Sequence, residues 1–336
     1  ESKEDFENWL KTIKGKFGER QVRYLTSGSG PIIFLLHQSP KSADEYKPLM
    51  EMWSNDFLMI APDTPGFGAS DPLESQKVTI EEIAEATIEL ADALGIDRFG
   101  LYGFHTGAII SIALAHQFSD RVEAISCNGV LVLTDDELEK IRAEYLPPFE
   151  PQWDGGHLSW LWSRMREQLV FFPWHERTLD ARMEFSISDP SILHENAVEV
   201  MRAGDNYRSA YGAAFEYRLE QFVPELQVPA LITAGEWDPL CKCLEDLTPS
   251  ASTLVESSKD QDQALEKSRA HLLNHSKNIS VDLPECILKS DGLTKIFIET
   301  AVGDICVQKK CDGSDQNPLV IIPRSEERRV GKECER

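Results

Sequence analysis

The chain has no apolar run approaching the ~18 residues that a membrane-spanning helix needs, and it does not open on a basic stretch followed by an apolar one. No span and no secretory leader are read from it, and the expected location is cytoplasmic. Glu1 rather than Met stands first, which leaves a lost leader open. Basic residues are also few: 34 Lys and Arg face 57 Asp and Glu, a formal charge of −23. A surface so acidic repels phosphate backbones and anionic lipid, which argues against nucleic acid and membrane surfaces as partners. The charge does not specify a substrate, and the oligomeric state is left open. The seven cysteines supply no disulfide framework, since Cys127 sits in a predicted strand and the others scatter. Cys241 and Cys243 form a C-x-C that reads as two thiols near a surface turn, because a metal half-site would lack its second half. No metal and no cofactor are expected.

What the chain does have is alternation. Residues 31–37 (PIIFLLH) and 57–62 (FLMIAP) are short apolar runs, the mark of strands buried on both faces. Thr79 to Leu94 reads as a helix with acidic residues in its first turn. Phe99 to Tyr102 reads as a strand and Thr106 to Phe118 as a small-residue helix. Val122 to Cys127, Ala230 to Ala234 and Ser252 to Glu256 add further strands. This order predicts an α/β fold, a mostly parallel sheet flanked by helices. The rhythm breaks from about 131 to 222, a helical stretch rich in aromatics such as Trp160, Trp174, Tyr207 and Phe215.

The C-terminal region echoes the N-terminal one. Val302 to Lys310, a Gly/Ser turn at 312–315 and an apolar run from Pro318 repeat the order of Phe17 to Leu25, Ser27 to Gly30 and Pro31 to Leu36. Either a stray hairpin closes one domain, or a second tandem domain of the same type starts here. Arg324 to Cys334 resembles the translation of a sequencing adapter, and 324–336 are set aside as an artefact. The expected organisation is a core over 1–130 and 223–285, an inserted helical segment over 131–222, and the start of a repeat over 286–323.

Three motifs carry a resemblance. Asp63-Thr-Pro-Gly-Phe-Gly-Ala-Ser-Asp71 follows a strand. His37-Gln-Ser-Pro40 ends the strand before it. Gly103-Phe-His-Thr-Gly107 lies between strand and helix. In this order and spacing they resemble the D-x-x-G-[FY]-G-x-S-D loop, the H-G-x-P loop and the G-x-S-x-G nucleophile elbow of the α/β-hydrolase superfamily. Capped members such as epoxide hydrolases, haloalkane dehalogenases and esterases look nearest. The resemblance implies an α/β-hydrolase fold with a cap over 131–222, and a hydrolytic function.

It also places the site residues. His105 takes the nucleophile position, held by a sharp turn that needs Gly103, Gly107 and Ala108. Ser39 and Thr106 would offer backbone N–H groups to an oxyanion hole, and Gln38 replaces the usual glycine. Gly235-Glu-Trp-Asp-Pro239 resembles the turn of the triad acid, which points to Asp238, with Glu236 as fallback; an ordinary turn residue is the plainer reading of Asp238. The triad histidine is missing, because 257–262 (SSKDQD) follow the last strand without one. His271 and His275 lie in a predicted helix, roughly 20 Å on at ~1.5 Å per residue. His157, in the polar turn Asp154-Gly-Gly-His157, is the best local replacement, with helix capping by Asp154 as the plainer alternative.

Four chemistries stay open for His105. They are service as general acid or base, direct attack on the substrate, binding of a ligand without turnover, and a metal shared with His37. The leading expectation is an enzyme acting on a small apolar molecule by hydrolytic or acid/base chemistry. The alternative is a catalytically inactive ligand-binding domain, half of a tandem protein.

Overall fold

The computed structural model describes residues 7–184, 189–277, 292–298 and 305–311. These fall into two units, one reaching Cys286 and one starting at Ile287. The first unit is built on eight strands: β1 (Glu7–Gly15), β2 (Gly18–Gly28), β3 (Ile32–Leu36), β4 (Leu58–Pro62), β5 (Phe99–Phe104), β6 (Val122–Asn128), β7 (Ala230–Gly235) and β8 (Thr253–Ser258). They lie in the order β1-β2-β4-β3-β5-β6-β7-β8. The first two pairings, β1 with β2 and β2 with β4, are antiparallel, and the remaining five are parallel.

Central strands such as β3 and β6 are buried at every position; β3 is wholly apolar, while β6 carries Glu123 and Asn128 inside with it. β2 departs from the alternating strand expected of Phe17 to Leu25. It runs between β1 and β4 and is buried through most of its length, so polar Arg20, Gln21 and Arg23 are carried inside with partners. β1 had no sequence signal, because ENWLKTIKG reads as a polar edge.

Helices α1 (Lys47–Trp53), α2 (Ile80–Ala93) and α3 (Thr106–Gln117) follow β3, β4 and β5 in turn. Four more, α4 (Asp135–Glu144), α5 (Gly156–Glu167), α6 (Pro190–Ala203) and α7 (Tyr207–Glu216), fill the connection from β6 to β7, and α8 (Gln261–His275) follows β8. α2 starts where Thr79 and Glu82 satisfy each other's backbone N–H in a capping box. Its apolar face and that of α3 cover one side of the sheet with Ile83, Leu90 and Ile112, while Met50, Trp53 and Leu272 of α1 and α8 cover the other. α3 lies close on the sheet: a Cβ on Gly107 would stand 1.7 Å from the Leu36 carbonyl oxygen.

The second unit contains a hairpin of β9 (Gly292–Ile298) and β10 (Ile305–Cys311). Its outermost described pair is Gly292 with Cys311, and Glu7 pairs with Thr26 in the first hairpin, so both positions are offset by 285. The same offset holds at the inner pair, Ile298 with Ile305 against Ile13 with Arg20. The turn at 312–315, the apolar run from Pro318 and the segment 324–336 lie outside the described residues.

Candidate active site

The site is built where β5 meets α3. His105 has φ 49° and ψ −109°, and it alone among the described non-glycine residues has positive φ. Such a conformation costs about 1–3 kcal/mol and persists only where neighbours hold it. The His105 N–H donates to Asn128 O at 2.9 Å, and its carbonyl accepts from Ile109 N at 3.1 Å. Glycine makes the turn passable, since a Cβ on Gly103 would lie 2.2 Å from Gly107 O. The His105 ring is stacked on Phe104, centroids 4.0 Å apart, and its side chain is 30% exposed. Gly129, at φ +73°, clears its other side: a Cβ there would sit 2.3 Å from the ring's Cδ2.

Asp238 comes from the turn after β7. Its Oδ2 lies 2.8 Å from His105 Nε2, and its Oδ1 accepts from Leu240 N at 2.8 Å, capping the short helical turn Pro239–Asp246. One carboxylate therefore both caps the turn and faces the His105 ring. Only 3% of Asp238 is exposed. An ionised carboxylate only accepts hydrogen bonds, so the ring proton belongs on Nε2 and Nδ1 keeps its lone pair. Nδ1 has no hydrogen-bond partner among the described residues. Glu236, the fallback acid, is exposed, and its side chain is not brought to the ring.

The neighbouring loops hold corrections. Ser39 and Thr106 do come together, but the Ser39 N–H donates to Thr106 Oγ1 at 3.3 Å and so is not a free donor. Thr106 opens α3, where the first-turn N–H groups lack helical acceptors. His37 does not pair with His105 over a metal. It is fully buried, its Nε2 accepts from Thr64 N at 2.8 Å, and its Nδ1–H reaches Gln38 O at 2.8 Å. Burial lowers its pKa and keeps it neutral, so both nitrogens are spent on tying two loops together. Among the described residues no group of three His, Cys, Asp or Glu side chains is placed to hold a metal.

His157 is the clearest displacement. Its Nδ1 accepts from Gln152 N at 3.0 Å and closes its own turn, with the ring 5.8 Å from that of Phe149. The residue before α5 is Gly155 in the left-handed region, and Asp154 Oδ1 accepts from Gly156 N, so the polar turn is occupied with itself. His271 is held in α8, near the backbone of Ile125 and Pro229 rather than the end of β6 that meets His105. Cys241 and Cys243 are free thiols in the turn Pro239–Asp246, the second of them buried.

Sequence reasoning missed Glu45. Its two oxygens grip Gln38, accepting from the backbone N–H at 2.8 Å and from Nε2 at 3.0 Å. Burial pushes its carboxyl up to about 7, against the pull of the two Gln38 bonds and of the charges of Lys41 and His105. The signal was Gln38 itself: a long amide in place of glycine needs a partner. Asp63 organises the same region. Its Oδ1 accepts from Ala43 N and its Oδ2 from Ala69 N, both at 2.8 Å, and Arg23 lies 3.2 Å away.

Residues 31–163 match the family model described as alpha/beta hydrolase fold. An uncharacterized hydrolase of Saccharomyces cerevisiae is 34% identical over 107 residues, 31% of this chain and 37% of that protein. Haloalkane dehalogenase 2 of Mycobacterium tuberculosis is 32% identical over 117 residues, 35% of this chain and 39% of that protein. The matches thus span well under half the length of these curated relatives. Among solved structures, a hydrolase from Pseudomonas aeruginosa PA01 superimposes with a TM-score of 0.60 at 17% identity, over 79% of this chain and 97% of that one. The chain has the α/β-hydrolase fold, a mostly parallel eight-stranded sheet flanked by helices.

Proposed function

We propose that the protein is an enzyme that acts on a small, largely apolar molecule by hydrolytic or acid/base chemistry, with His105 as its base. The observation that carries this reading is the 2.8 Å contact between His105 Nε2 and Asp238 Oδ2, made by a ring whose other nitrogen is left open on a strained turn. A ligand-binding domain has no need of a buried carboxylate behind an exposed imidazole. In a serine hydrolase the acid orients a histidine that in turn activates a separate nucleophile. Here the base occupies the nucleophile's place and meets the acid directly, so the missing loop histidine is not required.

In this reading a water or substrate proton passes to Nδ1, and the resulting imidazolium is paired with the Asp238 carboxylate. The anion formed on the substrate is met by the Thr106 N–H at the start of α3. His105 then returns the proton to the leaving group. In this reading the insertion from α4 to α7 is the cap. Hydrolase names among the relatives, a haloalkane dehalogenase included, support the reaction class.

The test is a panel of aryl esters, epoxides and haloalkanes given to the wild type and His105→Ala. Turnover of at least one class is expected to fall by about 10²–10⁴ in the variant, the usual worth of a positioned base. Equal turnover by both proteins would leave the site as a ligand-binding one.

A further inference from the structure

Arg164, on α5, is 1% exposed, yet its guanidinium faces no carboxylate among the described residues. Its one hydrogen bond runs from Nη1 to Gln168 Oε1 at 3.0 Å. Nε and Nη2 are buried without any partner. Three aromatic rings surround it, with Cζ 5.2 Å from the centroid of Trp174, 5.7 Å from Tyr207 and 5.8 Å from Tyr145. Cation–π contacts of this kind contribute about 2 kcal/mol when desolvated, while burying an unpaired ion costs several. Among the described residues no acidic side chain is set against this charge.

The two orphan donors are not a random pair. In a planar guanidinium, Nε–H and Nη2–H lie on one edge and point the same way, at the spacing of the two oxygens of a carboxylate. Gln168 holds the opposite edge through Nη1, which fixes the rotation of the group and leaves the fork preset. A further buried polar atom, His175 Nδ1, is also without a partner, and its ring lies 5.7 Å from Trp174 and 5.9 Å from Tyr145.

We propose that this is a binding site for a small carboxylate, taken side-on by Nε and Nη2 of Arg164 with its hydrocarbon part against Trp174, Tyr145 and Tyr207. Binding stands independently of the chemistry at His105.

The experiment is calorimetric titration with benzoate and its neutral isostere benzamide. The wild type is expected to bind benzoate at least tenfold more tightly than benzamide. Arg164→Met, similar in volume and uncharged, is expected to fold and to lose at least tenfold in benzoate affinity. Arg164→Lys keeps the charge without the fork and falls between them. His105→Ala binds benzoate as the wild type does, which separates this site from the proposed chemistry. Absence of benzoate binding, equal binding of benzoate and benzamide, or unchanged benzoate affinity in Arg164→Met would overturn the proposal. Should Arg164→Met fail to fold, the benzoate-to-benzamide ratio of the wild type decides alone.

Discussion

Glu45 shows how much a single side chain hides from a linear reading. Its carboxyl is raised from the ordinary 4.5 to about 7, chiefly by burial. A raised carboxyl means that the folded protein binds its proton more tightly than the unfolded chain. The associated stability is fully present below about pH 4.5 and is lost as pH rises through about 7, at most about 3 kcal/mol in all. Glu45→Gln, whose amide keeps an acceptor for the Gln38 N–H, is therefore expected to flatten this dependence. Melting temperatures at pH 5 and pH 8 check it, and the same pH slope in both proteins would contradict the assignment. Nothing in the residues 43–46 (ADEY) marks Glu45, because its partner lies seven positions away across a loop. His105 and Asp238 were legible for the opposite reason: strand-to-turn motifs fix where their side chains point. His157 misled because a polar turn preceding a helix can spend its own histidine on its own backbone.

At the scale of elements, the loops rather than the helices carry the interactions that shape the site. Asp63 accepts two loop N–H groups and stands against Arg23, and Gly68 is required beside it, since a Cβ there would lie 2.1 Å from Asp63 Oδ2. Asp63→Ala leaves Ala43 N and Ala69 N without acceptors and Arg23 with Asp44 as its one carboxylate partner among the described residues, beside Asn8. A loss of about 3 kcal/mol is expected in denaturant unfolding; a loss below about 0.5 kcal/mol would show that water replaces the carboxylate. Strands β3 to β8 and helices α2 and α3 were legible to within two residues from apolar runs and caps. β1 was not, because its Leu10, Lys11 and Ile13 are buried without forming an alternating apolar pattern, and its pairing with β2 is a matter of register.

For the whole molecule, the two hairpins repeat one register at an offset of 285, with Gly18 and Val22 matched by Gly303 and Val307 in sequence. We propose that β9 and β10 are the opening hairpin of a second copy of the fold and not a closing piece of the first unit. A chain ending at Cys286 should then melt as the first unit does in the full chain; a fall of more than about 4 °C would assign the hairpin to that unit instead. The sheet order also accomplishes what no local pattern does. It sets β5 and β7 on either side of β6, and so joins His105 to Asp238 across 133 positions. Nitrogen-15 NMR of the neutral His105 ring tests that pairing most directly. The proton is expected on Nε2, with a hydrogen-bonded shift that Asp238→Ala abolishes, and Nδ1 is expected to be bare. A ring protonated on Nδ1, or one indifferent to the loss of Asp238, would contradict the account.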